Sequence, residues 1–334
     1  LVGSNISLFV VTTPEDYKDA SDMLQDGKSD DLAKLVQFGK RAYSAEKVIH
    51  ARDISFEELI APREEGVYVN SFPKLMEKIH GFRKGELVLL TSPSGCGKST
   101  VTNLIANDLM AAGDKVGMIF LEETSKETVQ RMIAGKLKLN YNKFKNDPLS
   151  LASEARIREA YDDVIDNDRL VLLDHFGSMP ITELMSKIKT MHLVEKCDWI
   201  LLDHISLVIS GSAITDERKE LDMVMTELAA FCAANQVGIL AVSHLNRSIA
   251  NDFKPSKEDA DKPFWVRVTK EALRGSASLE QLSFVILGLE QQILRDRSRG
   301  LVRLTVLKNR PWGILGEADE FCLDENTWEV IVVG

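Results

Sequence analysis

From Gly85 onward, short runs of apolar residues alternate with segments whose apolar positions recur at helical spacing. Continuous apolar runs are typical of strands buried on both faces of a parallel sheet. The segments between them, such as 100–112 and 181–194, have the spacing of amphipathic helices. Strand followed by helix, repeated, predicts a doubly wound α/β domain. The apolar runs lie at residues 87–90, 116–121, 170–173, 199–202 and 238–242.

The pattern changes towards the end of the chain. Apolar stretches at 284–287, 301–307 and 329–333 predict further strands, which we expect as β additions at the C-terminal edge of the sheet. The sequence contains neither an internal repeat nor a low-complexity tract. The expected fold class is therefore α/β, with a mainly parallel, doubly wound sheet.

The segment before this pattern has a different character. Residues 1–45 begin with the apolar stretch 8–11, continue into a polar, helix-like segment, and are expected to be the tail of another domain. Within a linker at 46–70, residues 54–60 predict a short helix that ends before Pro62. Its few apolar positions leave two alternatives, packing on its own domain or docking on a neighbouring subunit. Residues 71–334 are predicted to form one domain that contains the whole alternating pattern.

Composition restricts the class of protein. The 334 residues are 44% hydrophobic and 28% charged, as expected for a globular protein. Neither an apolar run of about 20 residues nor a secretory leader is present, which predicts no membrane association and a cytoplasmic location. The four cysteines form no CxxC pair, so neither a zinc site nor a disulfide framework is indicated. Because the chain starts at Leu1 without Met, we expect a fragment of a longer polypeptide.

The net charge of −10 disfavours a broadly basic surface for nucleic acid. It is compatible with basic groups confined to the lining of a channel. Composition alone thus argues against DNA binding without excluding it.

A glycine-rich stretch, residues 92–99, follows the run at 87–90 and precedes a predicted helix at 100. In such a loop, backbone N–H groups and the helix N-terminus surround phosphate groups. Ser92 replaces the first glycine of the GxxxxGK[ST] pattern, and the remainder is intact. The alternative, a chance glycine-rich turn, is disfavoured by the strand-loop-helix placement. The predicted phosphate-binding residues are Ser94, Gly95, Cys96, Gly97, Lys98, Ser99 and Thr100.

Two acidic residues follow apolar runs of the same sheet. Nucleotide hydrolysis needs a carboxylate on the metal side and a base that positions water. Asp203 and Glu122 each come directly after a predicted strand, and the carboxyl ends of parallel strands share one edge with the phosphate loop. Asp203 and the Ser99 hydroxyl are therefore predicted Mg²⁺ ligands, and Glu122 the catalytic base. A plain strand-end cap remains the alternative for Asp203, and Glu123 is the competitor of Glu122.

Three further residues stand at ends of predicted strands. His244 closes the strand at 238–243, where an imidazole could contact the terminal phosphate, although a lone histidine there is more often structural. Arg310, with Lys308, follows the alternation at 301–307 at a turn. That position suits an arginine offered to another subunit's nucleotide, and a solvated strand-end charge is the ordinary alternative.

The order and spacing of six sequence blocks resemble the helicase half of the phage-type primase-helicases, related to mitochondrial Twinkle and bacterial DnaB. The resemblance covers almost the whole chain and implies a RecA-like motor. A segment near Lys18 also resembles the end of that family's TOPRIM primase domain, so residues 1–45 are expected to be its remnant. The six blocks are residues 94–100, 121–123, 202–206, 216–219, 243–245 and 273–276.

The resemblance implies a role for each matched residue. Lys98 and Ser99 would hold phosphate and Mg²⁺, and Glu122 would activate water. His244 would sense the γ-phosphate, and Arg310, together with Lys308, would complete the site of an adjacent subunit. Relatives stack the base of ATP or a dNTP on an aromatic residue near the last strands, where this chain offers Phe321 and Leu323. The linker helix would dock on the adjacent subunit.

The family also implies partners. Two loops facing the centre of a ring would bind single-stranded DNA through phosphate contacts, which are independent of sequence and sensitive to salt. The resemblance implies a homo-oligomeric ring, expected to be a hexamer, that travels 5′ to 3′ on the encircled strand. A primase domain and a replicative polymerase are the other expected partners. The predicted DNA-binding residues are Asn246, Arg247, Arg274, Gly275 and Ser276.

Two other classes of function share the phosphate loop. A small-molecule kinase would work as a monomer, and stimulation of its hydrolysis by single-stranded DNA is not expected. A RecA-like recombinase, or another RecA-fold assembly ATPase, would form filaments or double rings. The block at 273–276 favours the helicase over this RecA-like class, and stimulation of hydrolysis by single-stranded DNA would exclude the kinase.

Overall fold

The structure is a computed structural model that describes residues 9–11, 13–14, 16–38, 41–42, 51, 54–93, 95–165, 168–209, 217–244, 263–269, 273, 277–296, 298–324 and 330–333. The chain divides into two compact units, Leu1–Arg63 and Glu64–Gly334. No helix among these residues combines the length and the apolar character that crossing a bilayer requires.

The described residues of the first unit form short elements. Strands β1 (Phe9–Val10) and β2 (Arg41–Ala42) pair antiparallel. Helix α1 begins after Asp19, whose carboxylate accepts hydrogen bonds from the backbone N–H groups of Ser21 and Asp22 and so satisfies two donors of the first turn. The elements are β1 (Phe9–Val10), α1 (Ala20–Gln25), α2 (Ser29–Phe38), β2 (Arg41–Ala42) and α3 (Phe56–Ile60).

The second unit is built on a sheet of ten described strands. Each apolar run predicted from the sequence coincides with one of them. The strands are β3 (Leu87–Ser92), β4 (Val116–Phe120), β5 (Leu170–Leu172), β6 (Trp199–Asp203), β7 (Gly238–His244), β8 (Phe264–Val266), β9 (Val285–Ile293), β10 (Arg299–Asn309), β11 (Gly316–Leu323) and β12 (Val330–Val332).

The sheet order is β12-β11-β10-β9-β3-β7-β6-β4-β5, with β8 paired to β9. From β9 to β5 neighbouring strands are parallel. Strands β10, β11 and β12 extend the β9 edge in antiparallel fashion. The expected α/β fold, a mainly parallel sheet with β additions at its C-terminal edge, is confirmed.

Helices cover both faces of this sheet, which makes it doubly wound. Along β3, Val88 and Leu90 belong to one buried apolar cluster, and Leu87 and Leu89 belong to the other. A strand buried on both faces needs apolar side chains at every position, which explains the continuous apolar runs. The helices are α4 (Pro73–Ile79), α5 (Lys98–Ala111), α6 (Ser125–Leu137), α7 (Tyr141–Asn146), α8 (Glu154–Ile165), α9 (Ile181–Lys189), α10 (Ile205–Ile209), α11 (Glu217–Asn235) and α12 (Ala277–Leu282), with a 3-10 turn at Pro148–Ser150 and a π turn at Thr190–Val194.

Helix α6 starts just after the acidic pair Glu122-Glu123, and its first turn is held by a capping box. The Thr124 hydroxyl accepts from the Glu127 backbone N–H, and the Glu127 carboxylate accepts from the Thr124 backbone N–H at 2.9 Å. Two donors that the helix leaves unpaired are thereby satisfied. The turn that carries the two acids from β4 into α6 is fixed by these bonds.

Candidate active site

The glycine-rich loop joins the end of β3 to the start of α5. Gly95 and Gly97 have φ of 77° and 83°, the left-handed region that glycine adopts without steric cost. Ser92, in place of the pattern's first glycine, is the last residue of β3, so no positive φ is required there. Burial raises the pKa of the Cys96 thiol, which packs in the core beneath the loop. Ser94 lies outside the described residues, and Thr100 is in the first turn of α5.

Lys98 is buried beside this loop. Its Nζ donates to Ser92 Oγ at 3.1 Å and to the Pro93 carbonyl at 3.3 Å, and it lies 3.1 Å from His244 Nδ1. Burial lowers the pKa of Lys98, with the nearby Asp203 carboxylate opposing the shift. An ammonium deprived of water in this way gains strongly from a new anionic partner.

Ser99 and Asp203 place two oxygens together at the ends of α5 and β6. Ser99 Oγ donates to Asp203 Oδ2 at 2.9 Å. Burial raises the pKa of Asp203, and the hydrogen bond from Ser99 opposes that shift. A hydroxyl and a carboxylate are the hard oxygen donors that Mg²⁺ takes from proteins. These two residues therefore fit the metal-side role predicted for them.

The two neighbouring glutamates have different surroundings. Glu123 accepts from Thr128 Oγ1 at 2.9 Å and forms an ion pair with Arg131 at 2.7 Å. The Glu122 side chain is 59% exposed, and its Oε1 lies 3.1 Å from His204 Nε2. The Glu123 carboxylate is thus paired with Arg131, whereas the Glu122 carboxylate is largely exposed to solvent. The cavity at this edge is lined by Ser99, Phe120, Glu122, Glu123, Arg131 and Asp203.

His244 ends β7, which pairs in register with β3 so that His244 lies opposite Ser92. Its ring meets the ring of His204 edge to face, with centroids 4.3 Å apart. Potential ligand atoms of Glu122, His204 and His244 all lie within 4.8 Å of one another. The structure therefore brings Lys98, Ser99, Asp203, Glu122 and His244 to one place.

Arg310 and Lys308 lie at the end of β10 beside α12. Arg310 Nη2 donates to the Gln281 carbonyl at 2.9 Å, and its guanidinium lies 5.1 Å from the centre of the Phe284 ring. Lys308 Nζ donates to the carbonyls of Glu280 and Gln281. Both cations thus contact the C-terminal end of α12, where the helix dipole favours positive charge.

Other predicted residues can be placed only in part. Asn246, Arg247, Arg274, Gly275 and Ser276 lie outside the described residues. Of the block at 216–219, Asp216 lies outside them too, and residues 217–219 begin α11. The ring of Phe321 is buried against Phe72, with centroids 5.8 Å apart, so it is unavailable for stacking on a base. Its position in β11 directs the ring into the core against Phe72. The side chain of Leu323 is not described.

Two residues at this site were not predicted from the sequence. Arg299, at the start of β10, donates to the carbonyl of Gly95, 204 positions away in the chain. His204 follows Asp203 within a matched block, and that adjacency was the available signal. For Arg299 the sequence carries no local signal, because its contact depends on the β9–β10 hairpin returning to the phosphate loop.

A parallel sheet with a glycine-rich loop entering a helix, and acids at the neighbouring strand ends, defines the class of P-loop α/β proteins. Within that class, residues 67–319 match the family described as the DnaB-like helicase C-terminal domain. This match covers more than half of the 334 residues. The chain belongs to the DnaB-like helicase C-terminal domain family.

Curated proteins similar in sequence to this chain include helicases of the same kind. The chain is 33% identical over 258 residues to the DNA helicase/primase of Enterobacteria phage T3, covering 76% of this chain and 43% of that protein. It is 23% identical over 274 residues to the replicative DNA helicase DnaB of Buchnera aphidicola subsp. Acyrthosiphon pisum (strain APS), covering 80% and 57%. The chain thus spans about half the length of the curated relatives it matches.

A solved structure described as a DnaB-like replicative helicase and its interactions with primase superposes with a TM-score of 0.67 at 18% identity. The superposition covers 94% of this chain and 73% of that one. At this identity the likeness establishes the fold. The RecA-like architecture expected from the sequence is confirmed.

Proposed function

We propose that this chain is the motor of a ring-shaped replicative DNA helicase, which couples hydrolysis of ATP or a dNTP to 5′ to 3′ movement along single-stranded DNA. The observation that carries the proposal is the meeting of Lys98, the Ser99–Asp203 pair, Glu122 and His244 at one sheet edge. Membership of the DnaB-like family supports the choice of DNA as the substrate on which that energy is used.

The phosphate groups of the nucleotide would bind between the loop and Lys98. Because the Lys98 ammonium is buried, a phosphate in its reach replaces the neutral oxygens of Ser92 and Pro93 with a charged partner. The backbone N–H groups at the start of α5 add donors that the helix itself leaves unpaired. Ser99 and Asp203 would hold Mg²⁺, which neutralises charge on the phosphates when bound.

Glu122 is the proposed base that orients the attacking water. Glu123 is already paired with Arg131 and accepts a hydrogen bond from Thr128, so both of its carboxylate oxygens have partners. Glu122 lies at the mouth of the same cavity, with a largely exposed carboxylate. His244, 3.1 Å from the Lys98 ammonium, is the proposed γ-phosphate sensor because that contact must change when phosphate recruits Lys98.

Arg310, with Lys308, is the proposed cation pair that completes the site of an adjacent subunit. Their contacts with carbonyls of α12 leave the guanidinium of Arg310 exposed at the surface. An arginine that stabilises transition-state charge from a second subunit makes hydrolysis depend on ring assembly. Hydrolysis could then take place in one subunit after another around the ring.

The proposed DNA contacts adjoin two elements that carry or contact proposed site residues, β7 and α12. Asn246 and Arg247 come just after His244, the last residue of β7. Arg274, Gly275 and Ser276 directly precede α12, which Arg310 and Lys308 contact. Nucleotide-dependent movement at either element would therefore be passed directly to a proposed DNA loop. A basic lining limited to these loops is compatible with the net charge of −10.

Further partners are proposed from the relatives. The T3 relative is named a DNA helicase/primase, and a DnaB-like structural neighbour is described with primase. We propose that a primase domain and a replicative polymerase work with this motor in the cytoplasm. Residues 1–45 would then be the remnant of the TOPRIM domain, with residues 46–70 as the linker.

The decisive experiment is an unwinding assay on forked DNA, run with each NTP and dNTP. We expect nucleotide-dependent strand separation that requires a 5′ single-stranded arm, and hydrolysis stimulated by single-stranded DNA. Unwinding that requires a 3′ arm would contradict the proposed polarity. Nucleotide turnover that single-stranded DNA does not stimulate, with the phosphate transferred to a small molecule, would favour the kinase over the helicase.

Ring assembly gives a second prediction, centred on helix α3. Its apolar side chains Phe56, Leu59 and Ile60 are 68%, 69% and 64% exposed, which is unusual for three residues of one short helix. We propose that this helix docks on the adjacent subunit. Phe56→Asp combined with Leu59→Asp should shift the protein from rings to monomers in sedimentation velocity. Glu57→Gln on the same helix is the control, and rings unaffected by the double change would remove the docking role.

A further inference from the structure

We infer that His204 is a positioning residue of the reaction, holding the Glu122 carboxylate in place and linking it to the phosphate-sensing His244. This inference rests on the proposed hydrolytic function of the site. It adds a residue whose side chain touches the base and the sensor but is not itself expected to touch the nucleotide.

The contact between His204 and Glu122 joins a buried group to an exposed one. The side chain of His204 is 8% exposed, whereas that of Glu122 is 59% exposed, and Nε2 lies 3.1 Å from Oε1. An exposed glutamate has many rotamers, and orienting water requires one of them. A bond to a rigid, buried ring favours that rotamer, and the ring, already immobile, loses little further freedom in making the bond.

The chemistry of the pair fixes the tautomer. An ionised carboxylate only accepts hydrogen bonds, so the proton of this bond is carried by His204 Nε2. The other ring nitrogen, Nδ1, is buried and has no hydrogen-bond partner among the described residues. The ring is therefore held by its packing and by its one bond to Glu122.

On its other side, His204 packs against the proposed sensor. The rings of His204 and His244 meet edge to face, 4.3 Å apart at an interplanar angle of 89°. His244 Nδ1 in turn lies 3.1 Å from Lys98 Nζ. Contacts thus run without interruption from the phosphate-loop lysine, through both histidines, to Glu122. A phosphate that draws Lys98 away from His244 would alter the packing that orients Glu122.

Glu123 provides the internal comparison. Its carboxylate is held by Arg131 and Thr128, both on α6 and a few positions away in sequence. That arrangement is local and does not pass through the phosphate loop. Only Glu122, of the two acids, is tied to the strand-end residues that surround the phosphate site.

The test compares two substitutions of His204 whose side-chain amides place the N–H at different distances from the backbone. His204→Gln carries its amide nitrogen near the position of Nε2, whereas the shorter side chain of His204→Asn ends near Nδ1 and cannot reach Glu122. We expect kcat to fall about 100-fold in His204→Asn and only a few-fold in His204→Gln, with KM nearly unchanged in both. Equal kcat values for the two variants would overturn the inference, whatever their absolute level.

A double-mutant cycle separates positioning from a general structural effect. If His204 acts through Glu122, adding His204→Asn to Glu122→Gln should lower kcat no further than Glu122→Gln does alone. A full additional 100-fold loss would show that His204 acts independently of Glu122 and would overturn the inference. These readouts use basal hydrolysis, so a wild-type protein that hydrolyses nucleotide without unwinding DNA would contradict the helicase proposal and leave this test intact.

Discussion

Lys98→Ala is expected to abolish nucleotide hydrolysis, with a loss on the order of 10³-fold or more in kcat/KM. Among the described residues, this ammonium is the one buried cation that contacts both the phosphate loop and His244, at 3.3 Å from the Pro93 carbonyl and 3.1 Å from His244 Nδ1. Steady-state phosphate release with Mg²⁺ present measures the effect. Retained turnover in the purified variant would remove the loop from the mechanism.

The fold should survive this change. Burial already lowers the pKa of Lys98, so its charged form is poorly accommodated when no anion is present. We expect the thermal midpoint of Lys98→Ala to stay within about 5 °C of wild type, a range that corresponds to roughly 2 to 3 kcal/mol in a domain of this size. Lys136→Ala, at a half-exposed lysine of α6 paired with Asp163, is the matched control and should keep full activity.

Arg310→Ala is expected to lower turnover by about 10³-fold or more while leaving nucleotide affinity nearly unchanged. The reason is that Arg310 hydrogen-bonds to α12 of its own chain and is proposed to serve the nucleotide of another subunit. Binding of a fluorescent nucleotide analogue and steady-state hydrolysis, measured on the same sample, separate the two effects. Arg158→Ala, at an exposed arginine of α8, is the control.

Mixed rings distinguish action across a subunit boundary from action within one chain. In a ring containing both Lys98→Ala and Arg310→Ala subunits, an Arg310→Ala subunit retains its loop lysine and can receive an intact arginine from a Lys98→Ala neighbour. Mixing the two inactive proteins should therefore restore part of the hydrolysis. A mixture as inactive as its components would contradict the proposed role of Arg310 in the adjacent site.

The sequence by itself determined the fold class, and it predicted five of the residues that meet at the sheet edge, Lys98, Ser99, Glu122, Asp203 and His244. Continuous apolar runs can be buried only between two layers, and the helical segments that separate them fix a parallel, doubly wound sheet. Because the carboxyl ends of parallel strands share one edge, Asp203 and His244 had to meet the loop that follows β3. Both conclusions depend on local patterns and on a general rule of topology.

The tertiary structure decided what contacts each of those residues makes. The pairing of Glu123 with Arg131, the bond from His204 to Glu122 and the reach of Arg299 to Gly95 follow no periodic pattern. They depend on side-chain packing between segments that adjoin only after the sheet order is set. Phe321 is the clearest case, since the resemblance offers it, with Leu323, near the place where relatives stack the base, and its burial against Phe72 makes it part of the core.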